Sequence, residues 1–209
     1  MVRRILGILL FAVACAAHAS PNLLVVGDSI SAGYGLDNGR GWVALLAARM
    51  AHDFPAWRVD NASVSGDTTA GGLARLPALL RQQRPAVVIV ELGGNDALRG
   101  LPLARTRDNL TRMIELAQRA GARTLLVGMQ IPPNYGPVYT QRFAALFPDV
   151  ARATGAALVP FLLAGIAERR DAFQADGIHP NAASQPALLA NVWPRLAPLL
   201  RAAAAERAR

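Results

Sequence analysis

Ala86-Val87-Val88-Ile89-Val90-Glu91-Leu92, followed at once by Gly93-Gly94-Asn95-Asp96, decides the fold. The first seven residues are almost uninterruptedly apolar and rich in Val and Ile. A strand with one wet face would alternate polar and apolar residues, so this run belongs to a strand covered on both sides. The two glycines then let the chain turn sharply, and Asn95 and Asp96 put polar chemistry just past the strand end. Similar runs occur at Leu23–Val26, Trp57–Val64, Thr124–Met129 and Ala157–Phe161. Between them, Trp42–Ala51, Gly72–Arg84, Thr106–Ala120, Tyr139–Thr154 and Ala182–Leu200 show helical spacing, with Gly121 and Gly155 as helix stops. Strand and helix in alternation predict right-handed crossovers and an α/β fold, a three-layer α/β/α sandwich on a five-stranded parallel sheet. The Ala/Arg tail after Leu200 is expected to fray.

Composition narrows the chemistry. The chain has 209 residues, 53% hydrophobic and 17% charged, which suits one globular domain and excludes a disordered or fibrous protein. It contains no Lys, so a Walker A lysine, a Schiff base and a Ser-Lys dyad are excluded. It has one Cys and neither C-x-x-C nor H-E-x-x-H, so the common zinc and thioredoxin signatures are missing. The net charge of +8 comes entirely from scattered Arg, with no dense run and no interleaved aromatics. No nucleic-acid partner is expected from that pattern. The basic balance still allows transient contact with an anionic membrane surface. No obligate protein partner is evident.

The first 19 residues read as an address label. Arg3 and Arg4 precede an apolar run, Ile5 to Ala17, and Ala17-His18-Ala19 fits a signal-peptidase site. The run is shorter than the roughly 20 residues that span a bilayer. A cleavable signal peptide (1–19) and one domain (20–209) are therefore expected, with a periplasmic or secreted product. Acylation of Cys15 is the weaker alternative. Loss of Arg3 and Arg4 lowers the net charge from +8 to +6. The exported chain then has no Cys and keeps only His52 and His179.

Ligands bind open α/β sheets at the carboxyl ends of the strands, so the residues just past each strand matter most. Strand one leads into Gly27-Asp28-Ser29, strand two into Ser65-Gly66-Asp67, strand three into Gly94-Asn95-Asp96. Near the end comes Asp176-Gly177-Ile178-His179-Pro180. A serine hydroxyl needs an imidazole to take its proton, and the imidazole needs an acceptor to fix its tautomer. Asp176, three residues before His179, can supply the acceptor. Pro180 suits the first turn of the last helix and would hold His179 at its start. His52 looks like a solvated helix end, which leaves His179 as the candidate base. The Gly66 N–H, the Ser29 N–H and the Asn95 amide can receive an oxyanion. Each piece alone would pass for a turn; their co-occurrence at strand ends carries the argument.

Together, Gly27-Asp28-Ser29, Gly66, Gly94-Asn95-Asp96 and Asp176-x-x-His179 resemble the GDSL/SGNH hydrolase superfamily. Within it they are similar to the periplasmic thioesterase, protease and lysophospholipase group with its arylesterases. The stretches Gly27–Leu36, Asn61–Leu80, Val90–Leu101 and Met129–Gly136 carry the narrower likeness, which spans Asn22 to Leu200. The resemblance implies a flavodoxin-like SGNH fold with Ser29 as nucleophile, His179 as general base and Asp176 as its orienting carboxylate. Ser29, Gly66 and Asn95 would form the oxyanion hole, with no cofactor and no metal. The implied substrates are small-molecule acyl esters, thioesters or lysophospholipids. Substrate contacts are expected from Asp28, and from Leu98, Ile131, Pro133, Tyr135 and Tyr139 in the loops after strands three and four. A carbohydrate O-deacetylase on the same triad is the alternative, and a non-catalytic binding module a more distant one.

Overall fold

The computed structural model describes residues 20–207 and 209. The signal peptide and the Cys15 alternative therefore lie outside the described residues. Five parallel strands form one sheet: β1 (Asn22–Gly27), β2 (Arg58–Asn61), β3 (Val87–Glu91), β4 (Arg123–Val127) and β5 (Ala157–Val159), in the order β2-β1-β3-β4-β5. Every residue of β1 and β3 is buried, as their apolar runs require. Helices α2 (Trp42–Asp53) and α7 (Gln185–Arg207) cover one face. Helices α3 (Thr69–Gln83), α5 (Leu103–Arg119) and α6 (Pro137–Thr154) cover the other. The predicted three-layer sandwich is thus the observed one. Trp42, Leu46 and Met50 from α2 and Leu110, Met113 and Ile114 from α5 are essentially solvent-free against the sheet.

Four details differ from the sequence expectation. The run Trp57–Val64 yields only four residues of strand, with exposed Arg58 and Asn61 at its ends. It is an edge strand, so the pleat needs covering on fewer sides. The tail after Leu200 does not fray: α7 continues to Arg207, Ala203 is buried, and Glu206 pairs with Arg123 at the start of β4. Ala-rich sequence is strongly helix-forming, and the ion pair ties it down. His179 does not begin the last helix. Pro180 pairs with Phe173 in an isolated antiparallel bridge, and a 3₁₀ turn (Ala182–Ser184), capped by Asn181, precedes α7. Finally, two short helices carry no periodic signal: α1 (Ser29–Ala32) and α4 (Gly94–Leu98). Each starts two or three residues past a strand's last residue.

The topology fixes where function can sit. From β1 the chain goes one way to β2, then crosses back to β3 on the other side of β1. The crevice beyond the carboxyl ends of β1 and β3 is the switch point of the sheet. Ser29 comes after β1 and Asn95 after β3, so both stand at that crevice.

Candidate active site

Ser29 is the first residue of α1. The Asp28 Oδ1 accepts the Ile30 N–H at 3.0 Å and so caps that helix. An added Cβ at Gly27 would lie 2.7 Å from the Ser31 side chain and 2.9 Å from Glu91 Oε2, so the turn requires glycine there. At the other end of the chain, Asp176 folds its own turn. Its Oδ1 accepts the N–H groups of Ile178 (2.9 Å) and His179 (3.0 Å). Its Oδ2 lies 2.6 Å from His179 Nδ1. The hydrogen bond from His179, then the two amides, holds the Asp176 carboxyl down at about 2. An ionised carboxylate is acceptor-only, so the ring proton belongs on Nδ1 and leaves Nε2 free to accept. His179 Nε2 stands 2.8 Å from Ser29 Oγ, across 150 residues of sequence. The three predicted side chains therefore meet.

Gln174 secures the histidine loop. Its N–H donates to the His179 carbonyl at 2.8 Å, and its side-chain amide donates to the Tyr34 carbonyl at 2.8 Å. The Tyr34 ring packs on the imidazole with centroids 4.7 Å apart. Neither contact is readable from sequence, because an isolated Gln and Tyr in loops carry no pattern. His52, by contrast, is an exposed group at the end of α2 beside Asp53, as expected.

The residues expected to donate to an oxyanion, Ser29, Gly66 and Asn95, line one cavity. Gly66 sits at φ +78°, where a side chain would be strained, and Arg99 Nη2 donates to its carbonyl at 2.9 Å. The Asn95 amide nitrogen donates to Asp28 Oδ2 (3.1 Å) and to the Asp67 carbonyl (3.0 Å). Asp67 is itself fixed by Arg75 at 2.8 Å. Asp96 is buried and accepts the Thr69 N–H at 2.9 Å, which joins α4 to the start of α3. Burial pushes the Asp28 carboxyl up to about 6.

A cavity of about 740 Å³ opens from these groups. Ser29, Gly66, Asn95 and His179 line its polar end; Met129, Ile131, Phe161, Leu163 and Phe173 line its apolar wall. Of the expected substrate contacts, Leu98, Ile131 and Pro133 are on the wall. Asp28 reaches it too, but is 3% exposed and both its oxygens are already bonded. Tyr135 and Tyr139 are not on this wall. The turn Pro133–Tyr135 and the start of α6 carry them into a neighbouring depression shared with Val138 and Arg142. There the Tyr139 hydroxyl donates to the Ala97 carbonyl at 3.2 Å, so it braces α4 from outside. Phe161 reads as the end of the fifth strand, which in the fold stops at Val159, and Leu163 and Phe173 follow in a stretch without any motif, so none of the three points to the cavity from sequence.

A strand-end serine bonded to an imidazole and a carboxylate, facing amide donors at the switch point of a 2-1-3-4-5 sheet, defines a serine hydrolase on a flavodoxin-like sandwich. Comparison with known proteins agrees. The model of the GDSL-like Lipase/Acylhydrolase family matches residues 25–185. Esterase TesA of Pseudomonas aeruginosa is 56% identical over 182 residues, covering 87% of this chain and 90% of that protein. Thioesterase 1/protease 1/lysophospholipase L1 of Escherichia coli is 41% identical over 184 residues, covering 88% and 87%. A crystal structure of TesA superposes with a TM-score of 0.83 at 56% identity, covering 85% of this chain and 99% of that one. The chain belongs to the GDSL-like lipase/acylhydrolase family and is an ester hydrolase.

Proposed function

We propose that the enzyme hydrolyses carboxylic esters and thioesters of acyl chains, aryl esters and lysophospholipids among them, through an acyl-Ser29 intermediate. His179 takes the Ser29 proton as Oγ attacks the carbonyl, and returns it to the departing alcohol or thiol. It then activates water, which releases the acid. Asp176 holds the tautomer and stabilises the imidazolium. The developing oxyanion meets the N–H groups of Ser29 and Gly66 and the Asn95 amide. That amide already has two acceptors, so the oxyanion must draw one hydrogen away from Asp28 or Asp67. The contact therefore strengthens as charge develops, which favours the transition state over the ground state.

The single observation behind this reading is the chain Asp176–His179–Ser29, at 2.6 and 2.8 Å, at the mouth of an apolar cavity. A binding protein has no need of it. Acyl substrates are supported by the wall of Ile131, Phe161, Leu163 and Phe173. Contact with an amphiphile surface is supported by the exposed large apolar side chains Tyr34, Val64, Leu101, Tyr135, Val138 and Ile178, on loops, the Pro133–Tyr135 turn and the start of α6. Export is supported by the signal pattern of residues 1–19. No helix among the described residues is long and apolar enough to cross a membrane.

Hydrolysis of a nitrophenyl ester series tests the substrate class. Each buried CH₂ is worth about 0.8 kcal/mol, roughly fourfold in kcat/KM. The rate should climb with chain length and then level off. A sharp maximum at acetate, with acetylated sugars turned over faster than acyl esters, would make the deacetylase the correct reading.

A further inference from the structure

Glu91 is the last residue of β3, in register with Gly27 of β1, and is 0% exposed. A carboxyl there is expensive to bury, yet the catalytic steps above do not use it. Its Oε2 accepts the Ser31 Oγ–H at 2.6 Å and the Asp28 N–H at 3.4 Å. The two donors flank Ser29, one residue before it and two after. Asp28 then passes the constraint across the crevice, because its Oδ2 holds the Asn95 amide at 3.1 Å.

We propose that Glu91 is a positioning residue, a buried carboxyl that clamps the Asp28–Ser31 turn and, through Asp28, sets the nucleophile and the Asn95 amide in one fixed geometry. The proposal rests on the reading of Ser29 as nucleophile. Glu91 is remote from substrate by burial, so its effect runs only through the groups it holds. Its Oε1 is buried and has no hydrogen-bond partner among the described residues, so a charge on that oxygen would be uncompensated there. Burial, reinforced by the Asp28 charge, keeps this carboxyl well above the usual range. A neutral carboxyl has the shape of a carboxamide, so Glu91→Gln keeps the clamp and Glu91→Leu removes it.

The test compares wild type, Glu91→Gln, Glu91→Leu, Ser31→Ala and Ser29→Ala on nitrophenyl butyrate, well below each variant's melting temperature. Misplacing reacting groups by about 1 Å costs up to about 100-fold. On that scale Glu91→Leu should lose roughly 10- to 100-fold in kcat, with KM within about threefold, Ser31→Ala a smaller part of the same kcat loss, and Glu91→Gln at most about threefold. If Glu91→Leu does not fold, Ser31→Ala against Glu91→Gln decides. Unchanged kcat in Ser31→Ala and in folded Glu91→Leu overturns the proposal. So does a Glu91→Gln variant as damaged as Glu91→Leu, since that would show a need for charge. Turnover surviving in Ser29→Ala would refute the nucleophile instead, which separates the two failures.

Discussion

Asp176→Asn separates orientation from architecture at this site. The substitution keeps Oδ1, which accepts the Ile178 and His179 amides at 2.9 and 3.0 Å, so the turn that carries the histidine stays built. What changes is the atom 2.6 Å from His179 Nδ1, where a carboxylate oxygen becomes an NH₂. That group donates, so Nδ1 must accept and the ring proton moves to Nε2. Nε2 then points a hydrogen at Ser29 Oγ, 2.8 Å away, and can no longer take its proton. In an unrelated serine protease the same swap costs roughly 10⁴-fold in kcat, about 5.5 kcal/mol of barrier. The Asp176 side chain is 36% exposed, so the electrostatic part of its fold stabilisation is screened to about 1 kcal/mol or less. Asp176→Ala loses the two amide bonds as well, at about 1 kcal/mol each. Nitrophenyl butyrate kinetics with thermal melts should therefore show two nearly dead enzymes, of which only the alanine variant melts clearly lower. A folded Asp176→Asn within tenfold of wild type would refute the tautomer argument.

The geometry carries three further outcomes. Asn95→Ala should lower kcat by roughly 10²- to 10³-fold with little change in KM; a change confined to KM would remove Asn95 from the oxyanion hole. Leu98→Trp, on the cavity wall, should shift the ester-length optimum to shorter chains while leaving nitrophenyl acetate within about twofold, and an unchanged profile would place the acyl chain elsewhere. Asp28, with its carboxyl at about 6 in the fold against about 3.9 unfolded, binds its proton more tightly when folded. Its contribution is therefore fully present below about pH 4 and lost as pH rises to about 6, up to roughly 3 kcal/mol. Asp176 works oppositely: its contribution is present above about pH 4 and lost as pH falls toward 2. Urea denaturation across pH 4 to 6 should show a fall in stability that Asp28→Asn flattens; identical slopes would contradict the burial argument.

The sheet is legible in the sequence because fully covered strands leave an unmistakable trace: Leu23–Val26 and Ala86–Leu92 can be little else. The proposed triad and oxyanion residues are legible for a different reason, since each comes soon after a strand end or sits in a short turn that makes its own hydrogen bonds. Asp176 and His179 need only a three-residue spacing. Groups whose role depends on a distant partner are not legible. Gln174 matters because Tyr34 comes to it from 140 residues away, and Arg99 because Gly66 comes to it from 33 residues away. The place of Tyr135 and Tyr139 after β4 points to the cavity, but the 3₁₀ turn redirects them, and no periodicity marks so short an element. Glu91 reads as one polar interruption in an apolar run. Only the fold shows that it lies beneath the Ser29 turn.

Peptide mapping after treatment of the folded enzyme with a fluorophosphonate tests the central claim most directly. A serine made nucleophilic by His179 and faced by oxyanion donors should carry the single phosphonyl group, at Ser29, and Asp176→Asn should slow its attachment sharply. No adduct at Ser29, or modification of another serine at equal rate, would contradict the account.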